Sequence, residues 1–432
     1  MRIGVVADLI RANGAGVMAL SAAEMLQRGG HEVVLLAGAL DAKLERHLAS
    51  ELIGAVSFTH DQAALANSVT ETEHRHLLST FRRWFDEQLD LHELDVLYVH
   101  NCGRVFDQLD LAQLSQRLPV MHTMHDEWFY TDAHYTFAGP SGEVIRTYEP
   151  RNGEELLPHD YSGLFEVPHH IGNFLGVGPS AWLTERARRV FPTLDFIHIP
   201  NAVDADRFPL QDRTSARKAL GLPEAWPIVM FVGNPTQVRK GFDRVEAACQ
   251  VMRQATGTDP IRLVVGGNGS VATAGLEAEL DPGPVLEHLK MPTSNPLRDL
   301  GIEGRAIVLS DVDNSEMAAL YGAANVVVHP SRIDNLPTVP IEAGLCGTHC
   351  LASDVGGTRE TIAKVEDLFA SSIGAMELGD RIASAVQSSE AETKADRTRR
   401  REVQLGRFAE ADHQKAVVEA LQGLCQSGQA SE

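Results

Sequence analysis

Short apolar runs alternate with helix-length segments at the start of the chain. The first run, 3–7, is followed by a loop and then by apolar residues that recur at helical spacing over 17–26. Gly29 and Gly30 end this helix before a second apolar run, 33–37. A strand, a helix and a second strand in this order are typical of α/β domains with a parallel sheet.

The same alternation continues on both sides of one interruption. Over 197–208 the sequence contains proline and aspartate without periodicity, as expected of a connector. Further short buried strands are predicted before it at 96–99, 120–124 and 176–178, and after it at 228–232, 261–265, 306–309, 325–329 and 349–352. We therefore predict an α/β protein with two doubly wound parallel-sheet domains.

The domain boundaries follow from this interruption. We place a Rossmann-like amino-terminal domain at 1–200 and a Rossmann-like carboxyl-terminal domain at 201–377. The remaining segment, 378–428, is strongly charged in part and is predicted to be helical and to pack back on the first domain. A proline-containing stretch, 271–305, is predicted to be a loop-rich insertion.

Composition and charge exclude some classes of partner. Of the 432 residues, 44% are hydrophobic and 22% are charged, so the chain can bury large cores. Its net charge of −21 argues against a general affinity for nucleic acid or anionic lipid. One basic and aromatic segment, 75–85, is interpreted as an amphipathic surface helix, and the alternative is a peripheral membrane contact.

The cysteines and the first residues indicate the compartment. Five cysteines without a CxxC pair fit a reducing environment better than a disulfide framework or a zinc site. The segment 1–6 lacks the apolar core of a signal peptide, and no run of about 18 uncharged apolar residues occurs. We expect a cytoplasmic protein.

The segment 331–347 contains the strongest candidate for a ligand-binding site. Pro337 has the fixed φ that suits the start of a helix, and Thr338 onward can form that helix. The first turn of a helix offers free backbone N–H groups and a positive dipole end, which suit a diphosphate. Because proline has no N–H, the candidate donors are the amides of Thr338 and Val339, followed by that of Leu336.

Two carboxylates flank this predicted helix start. Asp334 lies before it, and Glu342 follows eight residues later, about a turn or more inside the helix. The two can accept hydrogen bonds from hydroxyls of a hexose and a ribose on either side of a diphosphate. A surface aspartate beside a loop and a salt-bridged helix glutamate are the alternative interpretation.

The sequence DNLPTVPIEAGLCGT, 334–348, resembles a known signature. It is similar to the E-x7-E motif of the retaining glycosyltransferases of family 4, also called glycosyl transferases group 1, with aspartate as the first acid. The flanking residues 321–331 and 355–360 resemble the same family. The resemblance spans most of the chain and implies the GT-B fold, in which two Rossmann-like domains face each other across a cleft. It also implies that Asp334 holds hydroxyls of the donor sugar and that Glu342 holds the ribose.

A second part of the resemblance lies in VMFVGNPTQVRKGF, 229–242. In the family, an arginine and a lysine of this strand and loop neutralise the donor diphosphate. Lys240 matches the lysine and would act as a point charge. Asn234 stands where the arginine is usually found. Arg239 either substitutes for that arginine or is a solvated loop charge.

A third part lies in MHTMHDEW, 121–128. His125 and Asp126 are similar to the family's His-Asp-x-Trp form, whose histidine lies near the reacting face of the donor sugar. A neutral imidazole can hydrogen bond a sugar hydroxyl, and Asp126 can orient the imidazole or the acceptor. His100 fits the same pattern more weakly. Without the resemblance, a histidine at the end of a strand is more commonly structural.

A glycine loop after the first strand allows another enzyme class. Gly14 and Gly16, with Ala19, also fit the dinucleotide pattern of NAD-dependent oxidoreductases. However, the loop before Gly14 is longer than that motif needs, and the second strand ends in Ala37 and Gly38 rather than in an acid. The family resemblance implies instead that these glycines face the donor phosphates, where small residues allow close backbone approach.

Two Asp-x-Asp strings, 204–206 and 311–313, are candidates for a divalent metal under a diphosphate. We interpret both as incidental, because the first lies in the connector and the second falls where the family has a loop that opens a helix. The resemblance implies that side-chain cations and helix-end amides neutralise the leaving diphosphate. No metal and no other cofactor is therefore expected.

Together these features predict a metal-independent hexosyltransferase. It would move a sugar from a UDP or GDP sugar to an acceptor hydroxyl, in surface polysaccharide or glycoconjugate biosynthesis, and the resemblance implies that the anomeric configuration is retained. The acceptor is a glycan, a lipid-linked molecule or a small metabolite, with specificity expected in 129–172. A catalytically weakened GT-B scaffold that binds nucleotide sugars, favoured by Asn234 and Asp334, is the first alternative. The NAD-dependent oxidoreductase is the second.

Overall fold

The computed structural model divides the chain into two compact units. It describes residues 1–10, 15–40, 54–59, 71–103, 105–106, 108–131, 135–138, 144–147, 172–266, 272–274, 305–309, 312 and 314–429. Unit 1 comprises Met1–Thr136, Arg146–Asn201 and Ala411–Glu432, and unit 2 comprises Phe137–Ile145 and Ala202–Glu410.

Both units are built on strands that follow the predicted apolar runs. In chain order the strands are β1 (Arg2–Ile10), β2 (Glu32–Leu40), β3 (Gly54–Thr59), β4 (Val96–Val99), β5 (Val120–Thr123), β6 (Tyr135–Ala138), β7 (Val144–Thr147), β8 (Phe174–Gly178), β9 (Phe196–His198), β10 (Ile228–Val232), β11 (Ile261–Val265), β12 (Ala272–Ala274), β13 (Ala306–Leu309), β14 (Val326–His329), β15 (Cys350–Ser353) and β16 (Leu368–Phe369). β6 and β7 pair with each other in a small separate sheet.

Helices separate most of these strands. In chain order they are α1 (Ala15–Arg28), α2 (Glu71–His92), α3 (Gln108–Ser115), α4 (Trp128–Thr131), α5 (Ala181–Val190), α6 (Arg213–Leu220), α7 (Phe242–Thr256), α8 (Asn314–Ala323), α9 (Thr338–Leu345), α10 (Ala375–Glu390), α11 (Lys394–Leu405) and α12 (Glu410–Gln429). Short 3₁₀ turns lie at Val238–Lys240, Thr358–Thr361 and Val365–Asp367.

The sheet of unit 1 has the order β3-β2-β1-β4-β5-β8-β9, and its neighbouring strands are parallel. Every residue of β4 and β5 is buried, as in a sheet covered on both faces. The side chains of α1 pack on one face with Ile3 and Val5. Those of α2 pack with Val6 and Val99 in a separate core. This arrangement confirms the predicted doubly wound parallel sheet.

The segment 75–85 lies within α2, as the prediction of an amphipathic helix requires. Its aromatic residues Phe81 and Phe85 are each 1% exposed and stack at 5.9 Å in the core of unit 1. At these residues the apolar face of α2 therefore packs in the core of unit 1. Among the described helices, none is long and apolar enough to span a bilayer.

The sheet of unit 2 has the order β12-β13-β11-β10-β14-β15-β16. Its neighbouring strands are parallel except β12, which pairs antiparallel with β13. This short edge strand lies within the predicted loop-rich insertion, 271–305, where 272–274 pairs with β13. The remainder of 271–305, apart from 305, lies outside the described residues.

The carboxyl-terminal helices are shared between the units. Leu378 and Ile382 of α10 pack in a core of unit 2 with residues of α7. Val417 and Leu421 of α12 pack in a core of unit 1. The expectation that the whole of 378–428 packs on the first domain is therefore wrong up to Glu410, because the buried faces of α10 and α11 are committed to unit 2.

Strand order locates the edge of each sheet where ligands bind in this fold class. The order reverses between β1 and β4 in unit 1 and between β10 and β14 in unit 2. In doubly wound sheets, ligands bind outside the carboxyl ends of the strands at such a switch point. Residues 233–241 follow β10 and residues 330–337 follow β14, and these are the loops in which the sequence predicted donor-binding residues.

Candidate active site

The loops after β10 and β14 meet through an ion pair. Lys240 Nζ lies 2.9 Å from Asp334 Oδ2, and a guanidinium nitrogen of Arg239 lies 3.5 Å from the same oxygen. The side chain of Asp334 is 10% exposed, and those of Lys240 and Arg239 are 21% and 19% exposed. The structure thus brings both predicted cations to the first predicted acid. Arg239 is not a solvated loop charge.

Two glycines allow the backbone to pack tightly around this pair. Gly241 has φ +74°, and a Cβ there would lie 2.2 Å from the carbonyl oxygen of Pro330. Gly356 has φ +53°, and a Cβ there would lie 2.0 Å from the carbonyl oxygen of Asp334. The next residue, Gly357, donates its N–H to that oxygen at 3.1 Å. The loop at 356–357, which belongs to the family resemblance, therefore contacts Asp334 directly.

Asp334 is held as a carboxylate. Ser331 Oγ donates to its Oδ2 at 3.2 Å, and the N–H of Asn335 donates to its Oδ1 at 3.2 Å. Burial by itself would raise the pKa of Asp334, but Lys240 and Arg239 outweigh burial and hold the pKa well below its usual range. The interpretation of Asp334 as an exposed surface residue is wrong, because the residue is 7% exposed.

The helix α9 begins at Thr338, as predicted, with Pro337 as its N-cap residue at φ −65° and ψ 131°. The first amides of a helix have no acceptor within it. Pro340, the third residue of α9, also lacks an N–H. Thr338 and Val339 therefore supply the free helical amides of this first turn. Leu336 is 6% exposed and packs in the core just before the cap.

Glu342 lies one turn further into α9 and is held by hydroxyl groups. Tyr321 of α8 donates its hydroxyl to Glu342 Oε2 at 2.6 Å, and the Thr338 side chain also hydrogen bonds to the carboxylate. Burial raises the pKa of Glu342, and these hydrogen bonds oppose the rise. The partners recorded for Glu342 are hydroxyls, so the interpretation as a salt-bridged helix glutamate is not supported.

Asn234 has a local structural role. Its Oδ1 accepts hydrogen bonds from the N–H of Thr236 at 3.0 Å and from the hydroxyl of Thr236 at 2.8 Å. This is an Asx turn, which orders the loop after β10. The side chain therefore does not replace the family's arginine, and Arg239 is the second cation near Asp334.

The histidines of unit 1 form a cluster at the carboxyl ends of β4 and β5. His100 follows β4 and is 2% exposed, and its Nδ1 lies 3.0 Å from Nε2 of His125. The two rings are nearly parallel, at 19°. His122, within β5, is 3% exposed. Burial lowers the pKa of His125 to about 4, and nearby Asp126 opposes this shift in part. His125 is therefore neutral near neutral pH.

Asp126 and Glu127 hold the loop that carries His125. Asp126 Oδ1 accepts from the N–H of Trp128 at 2.9 Å, which forms an Asx turn immediately before α4. Glu127 is 1% exposed and pairs with Arg186 of α5 at 2.9 Å. The sequence did not reveal Glu127, because its partner lies 59 residues away in the chain.

The remaining predicted residues are only partly placed. Gly14 lies outside the described residues, and Gly16 is buried in the first turn of α1. Asp204 Oδ1 accepts from the N–H of Asp206 at 3.0 Å in a local turn. Asp311 and Asp313, like most of 129–172, lie outside the described residues.

Tyr321 is the main residue of the unit 2 site whose role sequence reasoning missed. It is fully buried, and it lies in the flanking text of the motif, 21 residues before Glu342. Burial raises the pKa of Tyr321 well above its usual value, and the Glu342 carboxylate adds to this rise. The phenol therefore stays protonated and can donate to Glu342. No local pattern distinguishes such a tyrosine from a core residue.

Two family models match this chain. Residues 212–402 match the model described as "Glycosyl transferases group 1", and residues 13–154 match the "Glycosyl transferase 4-like domain". Together the two matches cover more than half of the chain. They include the two loops of unit 2 and the histidine cluster of unit 1 described above.

Relatives of known sequence are similar over a shorter stretch. A D-inositol 3-phosphate glycosyltransferase from Geodermatophilus obscurus is 34% identical over 167 residues, which are 38% of this chain and 34% of that protein. A protein of the same name from Gordonia bronchialis is 32% identical over 163 residues, 37% of this chain and 32% of that protein. The chain thus matches about a third of the length of these relatives.

Solved structures are similar along nearly the whole chain. Sucrose-phosphate synthase from Thermosynechococcus elongatus has a TM-score of 0.71 at 19% identity, covering 99% of both chains. HepE from Anabaena, in complex with UDP-glucose, has a TM-score of 0.64 at 17% identity, covering 98% of this chain and 100% of that one. At these identities the likeness shows the fold. The chain belongs to the glycosyl transferases of group 1 and has the GT-B fold.

Proposed function

We propose that this protein transfers a sugar from a nucleotide diphosphate sugar to an acceptor hydroxyl. The observation that carries the proposal lies within unit 2. Lys240 and Arg239 converge on Asp334 immediately before the start of α9, and Glu342 lies one turn inside that helix. Cations, free amides and two carboxylates at one switch point suit a ligand with a diphosphate between two sugars.

The diphosphate is assigned to the cations and the helix start. Lys240 and Arg239 supply positive charge, and the amides of Thr338 and Val339 donate hydrogen bonds at the positive end of α9. This arrangement neutralises charge on the leaving diphosphate without a metal, which is how we propose the enzyme works. Asp334 accepts from hydroxyls of the transferred sugar, for which its ionised state is required.

Glu342 is assigned to the ribose. Its Oε2 already accepts from Tyr321, and the remaining acceptor capacity of the carboxylate suits the vicinal hydroxyls of a ribose. The Thr338 side chain also holds this carboxylate, so its orientation is restrained before the nucleotide binds. A restrained carboxylate loses less conformational entropy on binding than a mobile one.

The transfer is proposed to retain the anomeric configuration. The bond from the acceptor oxygen to the anomeric carbon forms on the face from which the bond to the diphosphate breaks. The proton of the acceptor hydroxyl passes to the departing diphosphate oxygen. His125 of unit 1, neutral near neutral pH, hydrogen bonds a sugar hydroxyl during this step.

The donor and acceptor proposals rest on the relatives. HepE structures contain UDP and UDP-glucose, which favours a UDP sugar over a GDP sugar as the first donor to test. The relatives named for D-inositol 3-phosphate make an inositol phosphate the first small acceptor to test. A glycan or lipid-linked acceptor of a surface polysaccharide pathway is the broader class that we propose, with the reaction in the cytoplasm.

The deciding experiment combines binding with transfer. The full-length protein is screened by thermal shift against UDP, GDP, ADP and dTDP sugars, and transfer is measured with the donor that stabilises it most. Lys240→Ala and Glu342→Ala should each lower the affinity for that donor at least tenfold, about 1.4 kcal/mol. The matched controls are Lys218→Ala and Glu377→Ala, whose side chains are exposed in the same unit. Equal affinity in all four variants contradicts the proposal.

A second candidate function is a weakened enzyme that binds nucleotide sugars. The observation that favours it is the Asx turn of Asn234, which uses the side chain that stands where the family has an arginine. This candidate predicts donor binding without transfer or hydrolysis across the panel. It also predicts that Asn234→Arg raises turnover. Measurable transfer by the unchanged protein, lost in Lys240→Ala, contradicts it.

The dinucleotide alternative has little support in the described residues. Gly16 lies inside α1, whereas the dinucleotide motif needs its first two glycines in the tight turn between the first strand and the helix. Titration with NADH, followed by nicotinamide fluorescence, should give no saturable binding. Saturable binding that UDP does not displace would restore that alternative.

A further inference from the structure

We propose that His329 is a positioning residue for Asp334, whose carboxylate it holds through Nε2–H while a donor diphosphate occupies the neighbouring cations. The inference rests on the proposed function, which assigns Lys240 and Arg239 to the diphosphate and Asp334 to the transferred sugar. It adds a residue to the donor site and a reason why a buried carboxylate stays ionised when its cations are shared. All of these residues lie in unit 2.

His329 and Asp334 belong to one strand and to the loop that follows it. His329 is the last residue of β14, and its backbone is opposite Ala352 of β15. Ser353, the last residue of β15, donates its hydroxyl to the carbonyl oxygen of Ser331, and this hydroxyl is also 3.4 Å from the carbonyl oxygen of His329. The sheet therefore fixes the backbone that carries the imidazole.

The imidazole of His329 has a nitrogen without a hydrogen bond. The residue is 2% exposed, and its Nε2 is buried and has no hydrogen-bond partner in the described part of the chain. Oδ2 of Asp334 lies 3.4 Å from this nitrogen, beyond the usual range for an N–H···O bond. A movement of about 0.5 Å by the carboxylate would bring it into that range. Asp334 thus offers His329 an acceptor within reach.

The proton of this imidazole is on the nitrogen that faces Asp334. Burial lowers the pKa of His329, and the nearby cations lower it further, whereas Asp334 opposes the shift. The ring is therefore neutral near neutral pH and carries a single N–H. A lone pair on Nε2 would face the negative carboxylate and be repelled, whereas an N–H there is attracted. Nε2 is thus the protonated nitrogen.

Asp334 needs this donor because its present cationic partners are also the proposed diphosphate ligands. Nζ of Lys240 lies 2.9 Å from Oδ2, and a guanidinium nitrogen of Arg239 lies 3.5 Å from the same atom. These cations hold the pKa of Asp334 well below its usual range, and burial alone would raise it. A diphosphate that binds the cations weakens their attraction for Asp334. The hydrogen bond from Ser331 and the one that we propose from His329 then keep the carboxylate ionised and oriented.

The consequence is a difference between the sugar and the nucleotide part of the donor. Asp334 is proposed to bind hydroxyls of the transferred sugar, whereas Lys240 and Glu342 are proposed to bind the nucleotide part. Because His329 acts through Asp334, its loss should weaken the binding of a nucleotide sugar and hardly affect the nucleoside diphosphate alone. A residue that merely stabilised the fold would affect both ligands alike.

The hydrogen bond is tested first on the free protein. Full-length protein with ¹⁵N-labelled histidine is studied by long-range proton–nitrogen correlation, and the signals of His329 are assigned by their loss in His329→Gln. We expect a protonated Nε2. In Lys240→Met, which removes one cation from Asp334 as a diphosphate would, the Nε2 proton should move downfield and exchange more slowly with water, because its bond to Asp334 shortens. An unprotonated Nε2, or no change in Lys240→Met, overturns the inference.

Binding separates positioning from a merely structural role. His329→Gln keeps an amide donor near the position of Nε2, whereas His329→Met has a similar length and no donor. In calorimetric titrations, His329→Met should bind UDP-glucose about tenfold more weakly, with less than about a twofold change for UDP. His329→Gln should recover most of the affinity for UDP-glucose. GDP-mannose and GDP replace this pair if they stabilise the unchanged protein more than the uridine nucleotides do.

The matched control is His349 in the same unit. Its Nε2 lies 2.8 Å from Oδ1 of Asp367, just before β15 begins and so at the opposite end of that strand from Ser353. His349→Gln and His349→Met repeat the two changes at this position. Neither should alter the affinity for UDP or for UDP-glucose.

The outcomes distinguish this inference from the proposed function. Equal losses for UDP-glucose in His329→Gln and His329→Met contradict positioning through a hydrogen bond, as do equal losses for UDP and UDP-glucose in His329→Met. If the unchanged protein binds neither nucleotide sugar, the proposed function fails, whereas the nitrogen spectra still decide whether His329 donates to Asp334. Should His329→Met fail to fold, the spectra of the unchanged protein and of Lys240→Met decide the inference.

Discussion

At the scale of single residues, the ionised state of Asp334 is the most consequential feature. Its Oδ2 is shared by Lys240, Arg239 and Ser331 and lies 3.4 Å from Nε2 of His329. Such a carboxylate contributes to folding in addition to the role in ligand binding that we propose for it.

Asp334→Asn should lower the free energy of unfolding by about 1–3 kcal/mol at pH 7, because Lys240 loses a charged hydrogen-bond partner. The pKa of Asp334 is lowered in the folded state, so its contribution is present above the unfolded pKa of about 3.9 and is lost as pH falls further. Urea denaturation from pH 7 to pH 3 should show the difference shrinking below about pH 4. The control is Asp380→Asn, at an exposed aspartate of α10. A difference that is independent of pH contradicts this account.

Tyr321→Phe tests the support of Glu342. Removal of the hydroxyl should raise the Kd for UDP about tenfold, since Glu342 is less firmly oriented towards the ribose. The loss should be smaller for 2′-deoxy-UDP, which lacks one of the hydroxyls that Glu342 is proposed to bind. Calorimetric titration of both nucleotides with both proteins measures this. An equal loss of affinity for the two nucleotides would contradict a contact between Glu342 and the 2′-hydroxyl of the ribose.

At the scale of elements, the site of unit 2 depends on turns as much as on helices and strands. The turn at 356–357 approaches Asp334 so closely that only glycine fits at Gly356. The cap of α9 combines Pro337 with Pro340 and leaves two free amides. Both features depend on backbone conformation, so we expect most substitutions of neighbouring side chains to leave them unchanged.

Gly356→Ala should therefore damage the site and the fold together. A Cβ in the left-handed region costs about 1–2 kcal/mol, and the contact with the Asp334 carbonyl adds to this. We expect a lower Tm and at least tenfold weaker binding of UDP. Gly374→Ala, where a Cβ meets nothing within 4 Å and φ is negative, is the matched control and should be nearly neutral. Similar Tm values for the two variants would contradict the close approach.

At the scale of the whole molecule, the chain returns to unit 1 after completing unit 2. Val417, Leu421 and Leu424 of α12 are buried in the core that also contains α1 and β1. Each such side chain stabilises by about 1.5–3 kcal/mol. Unit 1 is therefore completed by residues more than 400 positions from its first strand.

Truncation after Glu410 should destabilise unit 1 selectively. Hydrogen exchange should accelerate in β1 and α1, whereas β10 and β14 keep their protection and UDP binding persists. The reason is that α12 contributes its apolar face to a core of unit 1 and to none in unit 2 among the described residues. Truncation after Gln429 is the control and should change neither. Faster exchange in both units would show that their stabilities are coupled.

The sequence by itself determined the elements and the class of fold. Apolar runs such as 228–232 and 261–265 coincide with β10 and β11, because burial of both faces of a parallel strand leaves a continuous local signal. The start of α9 was also predictable, because the ring of Pro337 fixes its own φ at a value that suits the beginning of a helix. The Asx turn of Asn234 is equally local, because Asn234 accepts from a residue only two positions later.

Only the tertiary structure decided which of these residues share a site. Lys240 and Asp334 are 94 positions apart, and their contact depends on β10 and β14 being neighbours in the sheet. The donation from Tyr321 to Glu342, the histidine pair and the division of α10, α11 and α12 between units depend likewise on long-range packing. The physical reason is that hydrophobic periodicity indicates which face of an element is buried. Which residues contact each other across the chain depends instead on the order of the strands in the sheet and on the loops that meet at the carboxyl ends of those strands.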